Sequence, residues 1–161
     1  MITQELLKEL LYYDAVSGRF TWIKSNRLFL GTVAGCKDTN GYIQIRVKGI
    51  KYPAHKLAIL YTSGVYPEYV DHKNLCITDN SWKNLRVCDK FQNAQNKAVS
   101  YNNMLGIKGI TKDSHGYRAR VIAYGKKKSK RFKFSTNALE QAITWIQETR
   151  KELHGEYTNH G

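Results

Sequence analysis

Two short runs near the C-terminal end constrain the fold most. In Tyr117-Arg118-Ala119-Arg120-Val121 and in Arg131-Phe132-Lys133-Phe134, cations alternate with apolar side chains. Successive side chains of a strand point to opposite faces, so each run predicts a strand with one cationic and one apolar face. The apolar faces need a cover. Leu139, Ile143, Ile146 and Leu153 mark one side of a helix beginning near Ala138, with Asn137 as its N-cap and Glu140 three residues later. A third strand is expected over residues 107–112, with turns at Ser114-His115-Gly116 and at Gly125. Residues 104–161 therefore predict a three-stranded antiparallel sheet packed on one helix, with its second face open to a partner.

The charge indicates what that partner is. The chain carries a net +13, and it is unevenly spread: residues 97–134 hold 11 basic and 1 acidic side chain. A solvated face mixes both signs, so this segment reads as an electrostatic footprint for nucleic acid. A membrane surface would need an apolar anchor or a basic amphipathic helix, and the sequence offers neither. No apolar run approaches the 18 residues of a membrane span, and Met1-Ile2-Thr3-Gln4-Glu5 lacks the basic start of a signal peptide. Cys36, Cys76 and Cys88 are odd in number and have no C-x-x-C spacing, which argues for reduced thiols and against a zinc ribbon. A cytoplasmic location is expected, that of the host cell if the chain is phage-encoded.

The fold class expected for the whole chain is α+β. Leu6, Leu7, Leu10 and Leu11 predict a helix over residues 3–12; residues 14–18 read as a turn, 19–23 as a strand and 31–41 as loop. Ile43, Ile45 and Val47 alternate with Gln44, Arg46 and Lys48, so 42–48 is a strand with 50–53 as its hairpin partner across Gly49. A helix over 54–63 is closed by Gly64. A short extended run then ends on Asp71-His72, a second starts at Asn84-Leu85-Arg86-Val87, and Asp89 caps a helix from Lys90 to Lys97. The order strand, loop, strand, helix would let a ligand on the first strand face another on the helix. Residues 100–103 are the expected linker, which divides the chain into 1–98 and 104–161.

A histidine beside a carboxylate, followed by side-chain amides, supplies the parts that phosphodiester hydrolysis requires. These are a base for water, oxygen ligands for a divalent cation, and a group that fixes the histidine tautomer. An Asp-His pair alone is a weak signal, and its ordinary reading is a surface pair. The wider order is specific: Pro53-Ala54-His55-Lys56-Leu57-Ala58, Gly64, Pro67, Asp71-His72-Lys73-Asn74, Asp79-Asn80, Asn84-Leu85-Arg86 and Gln92-Asn93-Ala94-Gln95-Asn96. Over about residues 50–97 this resembles the phage-type HNH homing endonucleases, whose nuclease unit is of ββα-metal type. The resemblance implies His72 as general base, Asp71 and Asn93 as metal ligands, and Asn84 as the residue that orients His72 by a hydrogen bond. The last motif position is Asn93 where the wider superfamily often has His, and Leu75-Cys76 stands where relatives often have Gly-Asp. The implied cofactor is a divalent metal, Mg²⁺ first and Mn²⁺ second. Asn80 is expected to be a structural turn residue, and His55 a structural histidine with its hydrogen bonds satisfied.

Residues 104–159 are similar to an AP2 domain through Gly106-Ile107-Lys108-Gly109-Ile110, Gly116 to Val121, Phe132 to Thr136 and Glu152 to Tyr157. Tyr117 stands where Trp is common. The resemblance implies a DNA-reading sheet. Candidate DNA contacts are Arg86, Lys108, Arg118, Arg120, Arg131 and Lys133, together with Lys126, Lys127, Lys128 and Lys130, which are expected in or near a turn and suited to phosphate. The expected function is metal-dependent cleavage of double-stranded DNA, one strand per engagement, by a monomer or weak dimer with no obligate protein partner. The rivals are a non-catalytic DNA-binding regulator with a decayed nuclease unit, and an RNA-binding protein, for which no RNP- or KH-like motif speaks.

Overall fold

The computed structural model describes residues 2–24, 29–96 and 99–158. The chain is mixed α+β and divides into two compact units, Met1–Asp89 and Lys90–Gly161. That division assigns the helix after Asp89 to the second unit, whereas the linker reading places the break near residues 98–104.

In the first unit, helix α1 (Gln4–Leu10) is capped at Thr3, whose hydroxyl accepts from the Leu6 amide. It ends earlier than its apolar spacing predicts. Leu11–Asp14 instead forms strand β1, paired antiparallel with β2 (Arg19–Trp22). Leu7, Leu11 and Phe20 all reach the core from this short segment. β3 (Cys36–Lys37) lies within the expected loop and pairs with β4 (Ile43–Val47), which forms a hairpin with β5 (Ile50–Pro53). The two turn residues, Lys48 and Gly49, both have positive φ, the twist a two-residue hairpin prefers. Helix α2 (Ala54–Ser63) ends at a left-handed Gly64, as expected. Its Leu57, Ala58, Ile59 and Leu60 join Leu7, Leu11, Phe20 and Ile45 in one core. β6 (Tyr69–His72) and β7 (Leu85–Cys88) then make a two-stranded ribbon, with a 3₁₀ turn at Trp82–Asn84 just before β7. Asn84 therefore closes this turn and does not begin the strand.

The second unit opens with α3 (Lys90–Gln95); Lys97, the expected end of this helix, lies outside the described residues. Strands β8 (Ile110–Asp113), β9 (Gly116–Ala123) and β10 (Lys126–Phe132) form an antiparallel sheet in the order β10-β9-β8. Helix α4 (Ala138–His154) covers one face, with Ala138, Ala142 and Ile146 buried against Ile110, Ala119 and Val121. Leu139, Ile143 and Leu153, predicted as its apolar stripe, are only partly buried and flank the contact. Small residues at 138 and 142 bring the helix close to the strands. The Asn137 side chain makes no capping hydrogen bond, in contrast to the sequence expectation. The three lysines expected in a turn, Lys126, Lys127 and Lys128, are the first residues of β10, and the turn is Tyr124-Gly125.

One close approach sets the geometry of the first unit. Gly18, at φ +73°, lies so near the Asn80-Ser81 backbone that a Cβ would fall 2.3 Å from the Asn80 carbonyl carbon. Gly49 has a similar φ of +84° and nothing within 4 Å. Gly49→Ala should cost only the backbone strain, about 1 kcal/mol. Gly18→Ala adds a steric clash with main chain and should cost about 3 kcal/mol. Urea unfolding of the two variants checks this; equal losses would show that the approach at Gly18 is not a constraint.

Candidate functional site

The candidate site is built on the β6–β7 ribbon and on the loop 73–84 between its strands. Direct antiparallel pairing sets Asp71 opposite Arg86 and His72 opposite Leu85. Asp71, His72, Asn80 and Asn84 are each at most 5% exposed, and buried polar groups need partners. Asn84 holds the loop at both ends. Its side-chain oxygen accepts from the Asn74 amide at 3.0 Å, its side-chain nitrogen donates to the Asp79 carbonyl at 2.7 Å, and its own carbonyl accepts from the Lys73 amide. Asp79 in turn accepts from the Ser81 hydroxyl and amide and from the Asn74 side chain. These bonds, that of the Ser81 hydroxyl first, hold its carboxyl below the usual range.

The hydrogen bond expected from Asn84 to His72 is made by a different asparagine. The His72 Nε2–H donates to Asn80 Oδ1 at 3.1 Å. An amide oxygen can only accept, so a neutral His72 carries its lone pair on Nδ1. Asn80 is itself fixed from behind. Its carbonyl accepts from the Tyr13 hydroxyl at 2.8 Å, and its backbone rests on Gly18. Burial, and then the charges of Asp14 and Asp79, push the Tyr13 phenol up to about 12 and keep it a neutral donor. The N-terminal hairpin β1–β2 thus buttresses the residue that holds His72. Sequence reasoning assigned Asn80 only a turn role. The available signal was its place in the Asp79-Asn80 motif, not its spacing from His72.

Asp71 is engaged by Arg86. Arg86 donates through Nε at 2.7 Å and through a terminal nitrogen at 2.6 Å, both to Asp71 Oδ2, and the Arg86 side chain is only 13% exposed. The sequence leaves Arg86 open between a phosphate contact and a solvated side chain; the structure sets it against the Asp71 carboxylate. Asn93 lies on α3, in the second unit. Among the described residues, no three His, Cys, Asp or Glu side chains are grouped so as to hold a metal.

His55, at the start of α2, packs edge-on against His72 with ring centroids 5.2 Å apart, and Tyr42 lies beside both rings. The structure corrects the satisfied reading of His55, because its Nδ1 is buried without a hydrogen-bond partner.

The cations of the second unit separate by pleat. Cross-strand pairing sets Arg118 opposite Arg131, Arg120 opposite Ser129 and Ile122 opposite Lys127; these line the face away from α4. Lys126, Lys128 and Lys130 pair with Ala123, Val121 and Ala119 and so share the helix-covered face at its edge. Lys128 bonds Glu152 of α4 at 2.8 Å. Lys133 is exposed just past β10, and Lys108 donates to the Gln95 carbonyl. Asp113 bridges Arg131 and Arg118 at 2.9 and 3.6 Å. A cationic face that the sequence analysis did not assign to DNA lies in the first unit, where β4–β5 pairing sets Arg46 directly opposite Lys51, beside the Lys48 turn. The alternation of 42–48 carried the signal.

Burial first, then the nearby His72 and Lys56 charges, holds His55 down to about 4, against an ordinary 6.5. The unfolded state then binds more protons between those values, so stability falls as pH drops from about 6.5 toward 4. His55→Phe removes this titration. Between pH 7 and pH 5 the wild type should lose about 2 kcal/mol more than the variant, measured by urea unfolding at both pH values. Parallel losses would place the His55 imidazole in water.

No protein-family model matches the chain, and no solved structure matches it. The chain is similar to "Protein 3.8" of Escherichia phage T7, with 31% identity over 91 residues, which is 55% of this chain and 72% of that protein. No described helix is long and apolar enough to cross a membrane. The chain belongs to the family of Protein 3.8 of Escherichia phage T7.

Proposed function

We propose that the chain is a metal-dependent endonuclease that hydrolyses phosphodiester bonds in double-stranded DNA, cutting one strand per engagement. The observation that carries this reading is the buried Asp71-His72 pair on the β6–β7 ribbon, with His72 held through Nε2 by Asn80. That bond directs the lone pair to Nδ1, where His72 takes the proton of the attacking water. Asn80 and the Tyr13–Gly18 support behind it fix the ring.

The donor chemistry suits a hard cation. Asp71 supplies a carboxylate, and the HNH resemblance adds the Asn93 side-chain oxygen. So few protein ligands fit Mg²⁺, which keeps waters and substrate oxygens in its shell, with Mn²⁺ second. Such a cation neutralises charge on the scissile phosphate and on the leaving 3′-oxygen. Arg86 orients the Asp71 carboxylate through Oδ2. In the second unit, β8–β10 on α4 support the AP2-like reading, with Arg118, Arg120, Lys127 and Arg131 directed to DNA and Lys133 beside them. The alternative, a DNA-binding regulator without catalysis, draws on the Arg86 guanidinium, which competes with any metal for Asp71.

Supercoiled plasmid incubated with and without Mg²⁺ separates the two readings. The wild type should give metal-dependent relaxed product, and His72→Ala should lose about 10²- to 10⁴-fold in rate while DNA binding persists. Asn80→Ala should fall between them. An intact supercoiled band with both Mg²⁺ and Mn²⁺, alongside retained DNA binding, would establish the regulator.

The pleat makes a second test available from neighbouring lysines. Lys127→Ala should reduce the slope of log affinity against log salt by about 0.9, the value of one phosphate contact. Lys128→Ala, on the helix side and paired with Glu152, should leave the slope unchanged. Equal effects would mean that DNA does not follow the face away from α4.

A further inference from the structure

The second unit holds a cavity of about 380 Å³ between α3, the end of β9 and α4, with Phe91, Gln95, Lys108, Arg120, Ile122 and Tyr124 among its lining residues. The site has three features that packing alone does not require. First, Phe91 and Tyr124 are 50% and 51% exposed, yet their rings lie 5.6 Å apart at 47°. Second, Gln95 is only 6% exposed and its side-chain Nε2 is buried with no hydrogen-bond acceptor, a state that proteins avoid. Third, Tyr124 has a φ of +48°. A two-residue hairpin with both φ values positive prefers Asn, Asp or Gly at that position, and a bulky residue there is strained. The turn thus accepts strain and keeps an exposed aromatic ring.

We propose that this cavity binds one unstacked nucleobase of a DNA strand. The chemistry selects that ligand. Phe91 and Tyr124 offer ring faces on which any base stacks, and the Gln95 amide offers a donor to a base oxygen or ring nitrogen. Arg120 lies at the wall and belongs to the same open sheet face as Arg118, Lys127 and Arg131, so the strand carrying the base has a cationic track beside it. A free apolar ligand would leave the Gln95 donor unmet. The inference rests on the reading of that sheet face as a DNA surface, but not on catalysis.

The test compares a short fluorescein-labelled duplex carrying one unpaired base with the same duplex fully paired, by anisotropy at fixed salt without divalent metal. Wild type should prefer the bulged duplex about tenfold, the effect of one base–aromatic stack. Gln95→Leu and Tyr124→Asn should abolish the preference and change affinity for the paired duplex by less than about twofold. Tyr124→Asn also separates function from folding, since Asn suits the turn better and the melting temperature should hold or rise. Equal wild-type affinity for the two duplexes overturns the base pocket and leaves the DNA surface standing. A Tyr124→Asn protein that keeps the preference overturns it equally. Absence of salt-sensitive binding to either duplex overturns the pocket and the DNA reading of the sheet together.

Discussion

The organisation of the first unit follows from one constraint: a two-stranded ribbon that has no core of its own must bury four polar side chains. Two strands alone are marginal in water, and each buried polar group left without a partner costs about 1–3 kcal/mol. Asn84 ties both ends of the 73–84 loop, Asn80 takes His72, and Arg86 takes Asp71. These partners must in turn be held. The β1–β2 hairpin does so through the Tyr13 hydroxyl and through the missing side chain of Gly18. The core of Leu7, Leu11, Phe20, Ile45 and Leu57 therefore acts on the site through a hairpin remote from it in sequence. The same logic makes the unpartnered Nδ1 of His55 conspicuous, since it lies beside His72 in a region where other polar groups are matched.

The Asp71–Arg86 pair shows why arginine is required opposite the carboxylate. Both side chains are nearly removed from water, and deleting either would leave an uncompensated buried charge, a loss of about 3–5 kcal/mol. Arg86 addresses one carboxylate oxygen through two nitrogens, which the planar guanidinium permits and an ammonium does not. The carboxylate is thereby fixed in one orientation by its partner.

Much of this was legible in the sequence where period and punctuation agree. The alternation of 42–48 became β4, Gly64 closed α2, and Arg118 and Arg120 fell on one sheet face as their spacing predicts. The misses have physical causes. Leu11–Asp14 continues the apolar spacing of α1, and only pairing with Arg19–Trp22 makes it a strand. Lys126, Lys127 and Lys128 are poor strand formers beside a glycine, so they read as a turn. Pairing with Ala123, Ile122 and Val121, and a glutamate on α4 for Lys128, decide otherwise. The Asp71, His72 and Asn84 motif was visible as letters, but the exchange of roles between Asn80 and Asn84 depends on a 3₁₀ turn and a backbone contact with Gly18, neither of which has a periodic signal.

The cationic faces carry an electrostatic cost of their own. Like charges directly opposite each other on adjacent strands are destabilising. The structure sets Arg118 opposite Arg131 and, in the other unit, Arg46 opposite Lys51. Asp113 offsets the first pair through surface bridges to both arginines, and exposed bridges of that kind contribute at most about 1 kcal/mol. Neither sheet gains its core from these residues, because the apolar sides of the strands supply it. Two separate sheets thus carry a repulsion that folding does not need. A polyanion laid along either face would turn that repulsion into attraction.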